Sequence, residues 1–455
     1  MFYSSFIELD ALLSLIAIIV YALYSLKSTL NLDLGHVYMY CRILPLIYVA
    51  GFAIADSYPV GNPKDHYWML EANTIDSIYS FNFESIDVLL ALLLFVIMRS
   101  FSSFESVLLL LFAFIAQYFM LHSMDLLTFY IALEAQNFCF LVLCGLQTTR
   151  DSSSFSVEAA LKFMLLSAFS SGVILFWFST VYLQTGLSVL ENNSLQSFSF
   201  LVAIMFKIGA APLHLWVIQI YSSVKRGLLM YVATAPKLSL FGWMFNSFHS
   251  LWSVSGSSFQ AGSSSLNYSV LLFAAFSLAL GSLGAYSQPT LRALFAYSTV
   301  NELGLMLMAM ETAGFHSLFQ HLGLYIIAQV LLWNMYDKRF FTVVAVTLAG
   351  LPPLAGFFGK AWIFWQTGLV GLYTILAGAL FCTAISLVYY LRVLRLFWNT
   401  GSYRIVPNSM LYSYTNPILG TRVDVIPNNN RVMLTSLCTV LLIFLPLFVI
   451  KPFII

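Results

Sequence analysis

Residues 201–240, LVAIMFKIGAAPLHLWVIQIYSSVKRGLLMYVATAPKLSL, constrain the chain most. An apolar run carries Lys207, breaks at Pro212 and resumes with His214 and Trp216. A second apolar run carries Lys237 directly behind Pro236. A lysine at the centre of a bilayer costs roughly 3 kcal/mol or more, so its default reading is a path for ions rather than packing. Proline inside such a helix frees backbone carbonyls, which is tolerated only where they face protein or water. Two lysine–proline pairs this close together read as machinery for moving charge.

The rest of the composition agrees. Of 455 residues, 60% are hydrophobic and 9% are Asp, Glu, Lys or Arg, far below the charge of a soluble domain. The chain is therefore expected to be an all-α polytopic membrane protein. A net charge of +1 without a basic patch argues against nucleic acid as a partner. The five cysteines (Cys41, Cys139, Cys144, Cys382 and Cys438) include no CxxC pair and read as small core residues. Glu8 and Asp10 flank the first apolar stretch, which is unlike a signal or transit peptide and reads as a first membrane helix. Forty-one Phe and 25 Tyr are consistent with an AT-rich organellar genome.

Hydropathy gives about fourteen spans, near 9–26, 37–55, 85–98, 105–122, 125–146, 159–182, 199–221, 228–250, 268–287, 292–311, 315–334, 341–364, 370–398 and 432–450. A Gly/Ser-rich connection occupies 255–269, and the longest polar stretch, 399–431, precedes the last span. Nothing resembles a soluble domain.

The informative residues are the ionisable ones inside spans. Span five holds Glu134, with Gln136 and Asn137 after it. A nearby carboxylate makes a buried lysine hold its proton more tightly, and desolvation does the opposite. A lysine held between those two effects can load and release. Lys207 is the natural partner of Glu134, Lys237 the next station, and His214 a possible relay. A carboxylate–lysine pair that only locks packing is the competing reading. Span ten opens at Arg292 and holds Ser298, Asn301 and Glu302. LAGLPPLAGFFGKAWIFW (348–365) then brings Pro352, Pro353, three glycines and Lys360. Two interrupted hydrophobic segments in the two halves of a chain point to an inverted-repeat transporter. No phosphate loop, HExxH or dinucleotide fingerprint is present. His316 and His321 are five apart, off the spacing that would put two ligands on one helix face.

The segments FKIGAAPLHLW, VATAPKLSL, LRALFAYSTVNELG, LAGLPPLAGFFGKAWIF, DLLTFYIALEAQ, SVEAALKFMLLSAFSSG and YYLRVLRLFW resemble, in order and spacing, the subunit 2 family of respiratory complex I. The match runs from about 120 to 398. The resemblance implies a fourteen-helix, antiporter-like fold with two inverted five-helix repeats and broken helices seven and twelve. On that pattern residues 1–104 carry helices one to three, 105–250 the first repeat, 251–398 the second, and 399–455 the polar loop and last helix. By position, Glu134, Lys207, Lys237 and Lys360 match the family's buried glutamate and lysines of the proton path. Many family members carry histidine where YSTVNELG has Glu302, which exchanges a neutral or cationic site for an anionic one.

The resemblance further implies a membrane-arm subunit of NADH:ubiquinone oxidoreductase that pumps protons without a redox site of its own. FMN, iron–sulfur clusters and ubiquinone would belong to other subunits. Expected partners are the other membrane-arm subunits, including the subunit 4-type antiporter-like one, and lipids such as cardiolipin. The expected location is the mitochondrial inner membrane. The alternatives are an Mrp-type cation/proton antiporter subunit, which the same lysine–proline grammar would serve, and a membrane scaffold whose buried charges only pair.

Overall fold

The computed structural model describes residues 83–98, 101, 104–123, 125–146, 153–186, 198–255, 265–312, 314–334, 338–352 and 354–399. The expected spans 9–26, 37–55 and 432–450, and the 399–431 loop beyond its first residue position, lie outside the described residues. Among the described residues there are thirteen α-helices. The first seven are α1 (Phe83–Met98), α2 (Phe104–His122), α3 (Leu126–Leu146), α4 (Ser153–Thr185), α5 (Phe198–Ile208), α6 (Leu215–Ser223) and α7 (Arg226–Ser255). The other six are α8 (Ser265–Ser287), α9 (Leu291–Glu311), α10 (Phe315–Asn334), α11 (Lys338–Ala349), α12 (Ala355–Val370) and α13 (Tyr373–Asn399). Eight of the described helices are long and apolar enough to cross a membrane.

Each of the other expected spans coincides with one helix, except two that are split. α4 starts at Ser153 rather than 159, because the helix continues through the polar SSFSVE lead-in that a hydropathy window does not register. α7 passes through Pro236 without ending. Its ring removes one backbone donor but leaves the surrounding ladder to hold the helix.

The chain divides into two compact units. The first contains residues 1–160, 178–190 and 235–249. Within it, Gly242 of α7 faces Leu121 of α2 and Ile86 of α1, and Phe129 of α3 stacks on Trp243 with ring centroids 3.8 Å apart.

The second unit contains residues 161–177, 191–234 and 250–455. Its centre is α9, in which every residue except Arg292 and Tyr297 is buried. A helix apolar on all sides belongs in the interior of a membrane bundle. α8 approaches it backbone to backbone. A Cβ on Gly281 would lie 2.5 Å from the Asn301 nitrogen, so only glycine fits there. Small residues that let helices touch this closely are the usual means of association where lipid removes the hydrophobic drive. Apolar side chains point outward instead on α4 and α13, as with Phe169 and Phe381.

The two split spans break in the same way. α5 ends at Ile208, and Gly209 follows with φ +87°; α11 ends at Ala349, and Gly350 follows with φ +78°. Gly209 N–H donates to the Phe206 carbonyl and Ala210 N–H to that of Met205, at 3.0 and 2.9 Å. Gly350 N–H donates to the Thr347 carbonyl and Leu351 N–H to that of Val346, at 3.1 and 3.3 Å. Both ends are Schellman caps closed by a left-handed glycine, which no side-chain-bearing residue supplies as cheaply. Each chain then turns through a proline-containing segment and starts a new helix, α6 or α12. Pro212 and Pro352 are exposed in those turns; Pro353 lies outside the described residues.

Candidate functional site

α9 ends at Glu311 and α10 starts at Phe315, and the two helices touch, so the chain doubles back between them. Glu302 lies nine residues before the end of α9 and His321 six residues after the start of α10, so the two come to a similar depth. His321 Nε2 is 3.0 Å from Glu302 Oε2. α12 packs against both helices and brings Lys360, whose Nζ donates to Glu302 Oε1 at 2.7 Å. The same ammonium donates to the Leu348 carbonyl at 2.7 Å, in the last turn of half-helix α11. All three side chains are almost fully buried, with Glu302 only 2% exposed. Desolvating each charge costs several kcal/mol, and only close pairing with further hydrogen bonds offsets that. Glu302 uses both carboxylate oxygens and Lys360 makes two bonds, so the pair is well satisfied.

The break itself shapes this cluster. Left-handed Gly350 carries no Cβ, and one there would meet Lys360 Cδ at 3.0 Å. The glycine therefore lets the lysine stem lie along the end of α11 and reach the Leu348 carbonyl. A helix C-terminus carries partial negative charge, which favours a cation at this point.

The equivalent region of the first split span is built differently. Lys207, in the last turn of α5, is buried and donates to the Ser167 carbonyl of α4 at 3.4 Å. Trp216 of α6 reaches back to donate from Nε1 to the Phe206 carbonyl at 3.0 Å. His214 precedes α6 and sets its ring edge-on to Tyr297 of α9, 5.7 Å between centroids. Arg292, in the first turn of α9, donates to the Ser222 and Val224 carbonyls at 3.2 Å each and so holds the end of α6. In the first compact unit, Glu134 of α3 is half-buried and accepts from the Asn137 amide at 3.3 Å. Lys237 of α7 is buried in that unit too.

Of the residues singled out in the sequence, the structure joins Glu302 and Lys360 directly. It adds His321, which the sequence reading weighed only as a metal ligand and set aside. The signal was available: a histidine inside an apolar span is as much out of place as a glutamate there. Its partner, 19 residues away on another helix, was not. Among the described residues no cluster of three metal-ligating side chains occurs, and Cys139, Cys144 and Cys382 are free thiols. Cys41 and Cys438 lie outside the described residues.

Long apolar helices, two of them interrupted, with lysines buried beside the interruptions, define an antiporter-like membrane subunit. The family described as NADH:quinone oxidoreductase/Mrp antiporter, TM, matches residues 123–339. NADH-ubiquinone oxidoreductase chain 2 of Chlamydomonas reinhardtii is 44% identical over 449 residues, which span 99% of this chain and 100% of that one. The chain belongs to the NADH-ubiquinone oxidoreductase chain 2 family. The fold agrees with a chain of respiratory complex I from Thermus thermophilus, at TM-score 0.72 and 22% identity, covering 96% of this chain and 98% of that one. It agrees equally with a chain of the Mrp complex from Dietzia, at TM-score 0.72 and 14% identity, covering 96% and 94%.

Proposed function

We propose that this chain is a core membrane-arm subunit of NADH:ubiquinone oxidoreductase and carries one proton path across the membrane. The observation that carries the reading is the Lys360 ammonium, held at 2.7 Å by both the Glu302 carboxylate and the Leu348 carbonyl inside an apolar bundle. A cation so placed, paired and hydrogen-bonded inside an apolar bundle, is read as a loading site on an ion path. Glu134, Lys207, Lys237 and Lys360 are the stations of the path, with His214 and Glu302 as relays. Withdrawing the carboxylate that faces a loaded lysine leaves a desolvated ammonium, which gives its proton to the next station. Pro212 and Pro352 belong to the turns that interrupt the two helices, with Pro353 next in sequence, and such breaks leave carbonyls free to face protons.

The chain has no redox site of its own in this reading. FMN, the iron–sulfur clusters and ubiquinone belong to other subunits, and quinone reduction there drives charge movement here. Its partners are the other membrane-arm subunits, including the subunit 4-type one, together with lipids such as cardiolipin; nucleic acid is not a partner. Its location is the mitochondrial inner membrane. The Mrp-type alternative shares the fold, but a relative matched end to end at 44% identity favours the oxidoreductase.

The test begins with gentle detergent extraction, native electrophoresis, an NADH-oxidation stain and mass spectrometry of the stained band. This chain in the NADH-oxidising band supports the reading, and its presence only in a redox-silent assembly moves the weight to the antiporter. Lys207→Met and Glu134→Gln then lower NADH-driven proton pumping in the assembled complex; normal pumping stoichiometry in both sinks the path.

A further inference from the structure

Glu311 lies nine residues beyond Glu302, at the last position of α9 and of its membrane span. The side chain is buried, 8% exposed, and its Oε2 has no hydrogen-bond partner among the described residues. A buried carboxylate oxygen left without a donor is costly, so a group in this state calls for a reason. Nine residues also place it on the side of α9 opposite Glu302. A link between them therefore cannot follow one stripe of α9.

α10 and α12 supply the link. His321 and Ser317 stand one turn apart on one face of α10, and Lys360 and Thr367 two turns apart on one face of α12. Both faces start at the Glu302 cluster, and both run to the α9–α10 turn. Ser317 and Thr367 are fully buried, at 1% and 0% exposure, in helices where apolar side chains would pack more cheaply. Their hydroxyls donate to the Gly314 and Phe364 carbonyls at 2.7 and 2.9 Å, which leaves the oxygen lone pairs free to accept. At the turn the three helices meet around Gly314. A Cβ there would lie 2.8 Å from Ser317 Oγ, 2.9 Å from Gln366 Cγ and 3.3 Å from Thr312 Oγ1. Gln366 is half-buried, so this polar cluster reaches the surface, at the end of the span where Glu311 stands.

We infer that Glu311 is the outermost proton-relay residue of a port that leaves the Lys360–Glu302–His321 cluster past Ser317 and Thr367. The inference rests on the proton path proposed above and names where that path meets one membrane surface. A proton leaves Lys360 Nζ, breaking one N–H bond and leaving a neutral amine ready to reload. It passes along hydrogen-bonded water between the two hydroxyl-bearing faces and forms an O–H bond at Glu311 Oε2. Glu311 then loses that proton to bulk water and returns to the carboxylate. Protons entering the complex by this port follow the same steps in reverse.

The experiment compares Glu311→Gln, Glu311→Asp and Lys360→Met in the assembled membrane complex. It reads the amount assembled by native gel, the NADH oxidation rate, and protons translocated per NADH in sealed vesicles. The expected result is normal assembly with fewer protons per NADH in Glu311→Gln, recovered in Glu311→Asp. Normal protons per NADH in Glu311→Gln while Lys360→Met is impaired overturns the port and leaves the path standing. Normal values in both Lys360→Met and Lys207→Met would instead remove the path itself. If Glu311→Gln does not assemble, Ser317→Ala and Thr367→Val carry the same test with the carboxylate in place, and unchanged pumping in both overturns the port.

Discussion

Glu302 and Lys360, 58 positions apart, meet at 2.7 Å with both side chains withdrawn from solvent. Neither can lose its partner without leaving a charge in the bundle. Lys360→Met and Glu302→Gln should each destabilise the complex, by about 3–5 kcal/mol where a full charge is left unpaired. Replacing both together should cost much less than the sum, since the double variant leaves no charge unpaired in the bundle. Thermal melting of the detergent-solubilised complex in a double-mutant cycle measures the coupling. Strict additivity would mean that the two side chains do not share a charge.

Of the two left-handed glycines that close the split spans, Gly350 should be the less replaceable for function. Gly350→Ala puts a side chain into a left-handed turn, at about 1–2 kcal/mol, and presses its Cβ on the stem of Lys360. Proton translocation per NADH should fall further than the amount of complex does. Gly209→Ala meets Val217 and Trp216 instead, and should lower assembly with the stoichiometry kept in what assembles. Equal effects of both variants on stoichiometry would contradict this.

Trp216→Phe keeps the aromatic packing against Phe163, where ring centroids are 5.1 Å apart, and removes the indole donor. The Phe206 carbonyl still accepts from Gly209 N–H, so the loss should be about 1 kcal/mol and no more. A melting shift several times larger would show that the indole bond, not the glycine cap, holds the end of α5.

Gly281→Ala should prevent α8 and α9 from closing, because the new methyl would stand 2.5 Å from the Asn301 backbone nitrogen. Native gels should show little assembled complex. Gly378→Ala, on α13 with open space around its Cβ position, serves as the control and should assemble normally. Loss of assembly in both would point to a general intolerance of these spans.

The two breaks were legible because glycine, proline and an intramembrane lysine crowd into each short stretch, although Pro236 beside Lys237 shows that a proline–lysine pair does not by itself stop a helix. Lys207, Lys237, Glu302 and Lys360 stood out because hydropathy should have excluded them. Partnership was less legible. Glu302 read as an oddity at a family position often held by histidine, yet it meets both Lys360 and a histidine from the next helix, His321. Helix periodicity fixes which residues share a face, but how α12 sits against α10 depends on close contacts such as that of Gly359, where a Cβ would lie 3.1 Å from His321 Nδ1. No one-dimensional pattern records those. Glu311 escaped notice because a carboxylate at a span end reads as solvated, and only its burial makes it unusual.

The bond from Lys360 to the Leu348 carbonyl has a consequence for what can switch the site. A carboxylate can be neutralised by a single proton, so its pull on a neighbouring cation can be turned off. The end of a half-helix cannot: its partial charge is fixed in peptide bonds and persists in every protonation state. At Lys360 one attraction is thus permanent and the other, from Glu302, is erasable. The backbone contribution is constant, and only the side chains around the lysine can vary. Any change in how Lys360 is held must therefore come from its side-chain neighbours, Glu302 and, through it, His321, as a valve with a constant spring follows its moving stop.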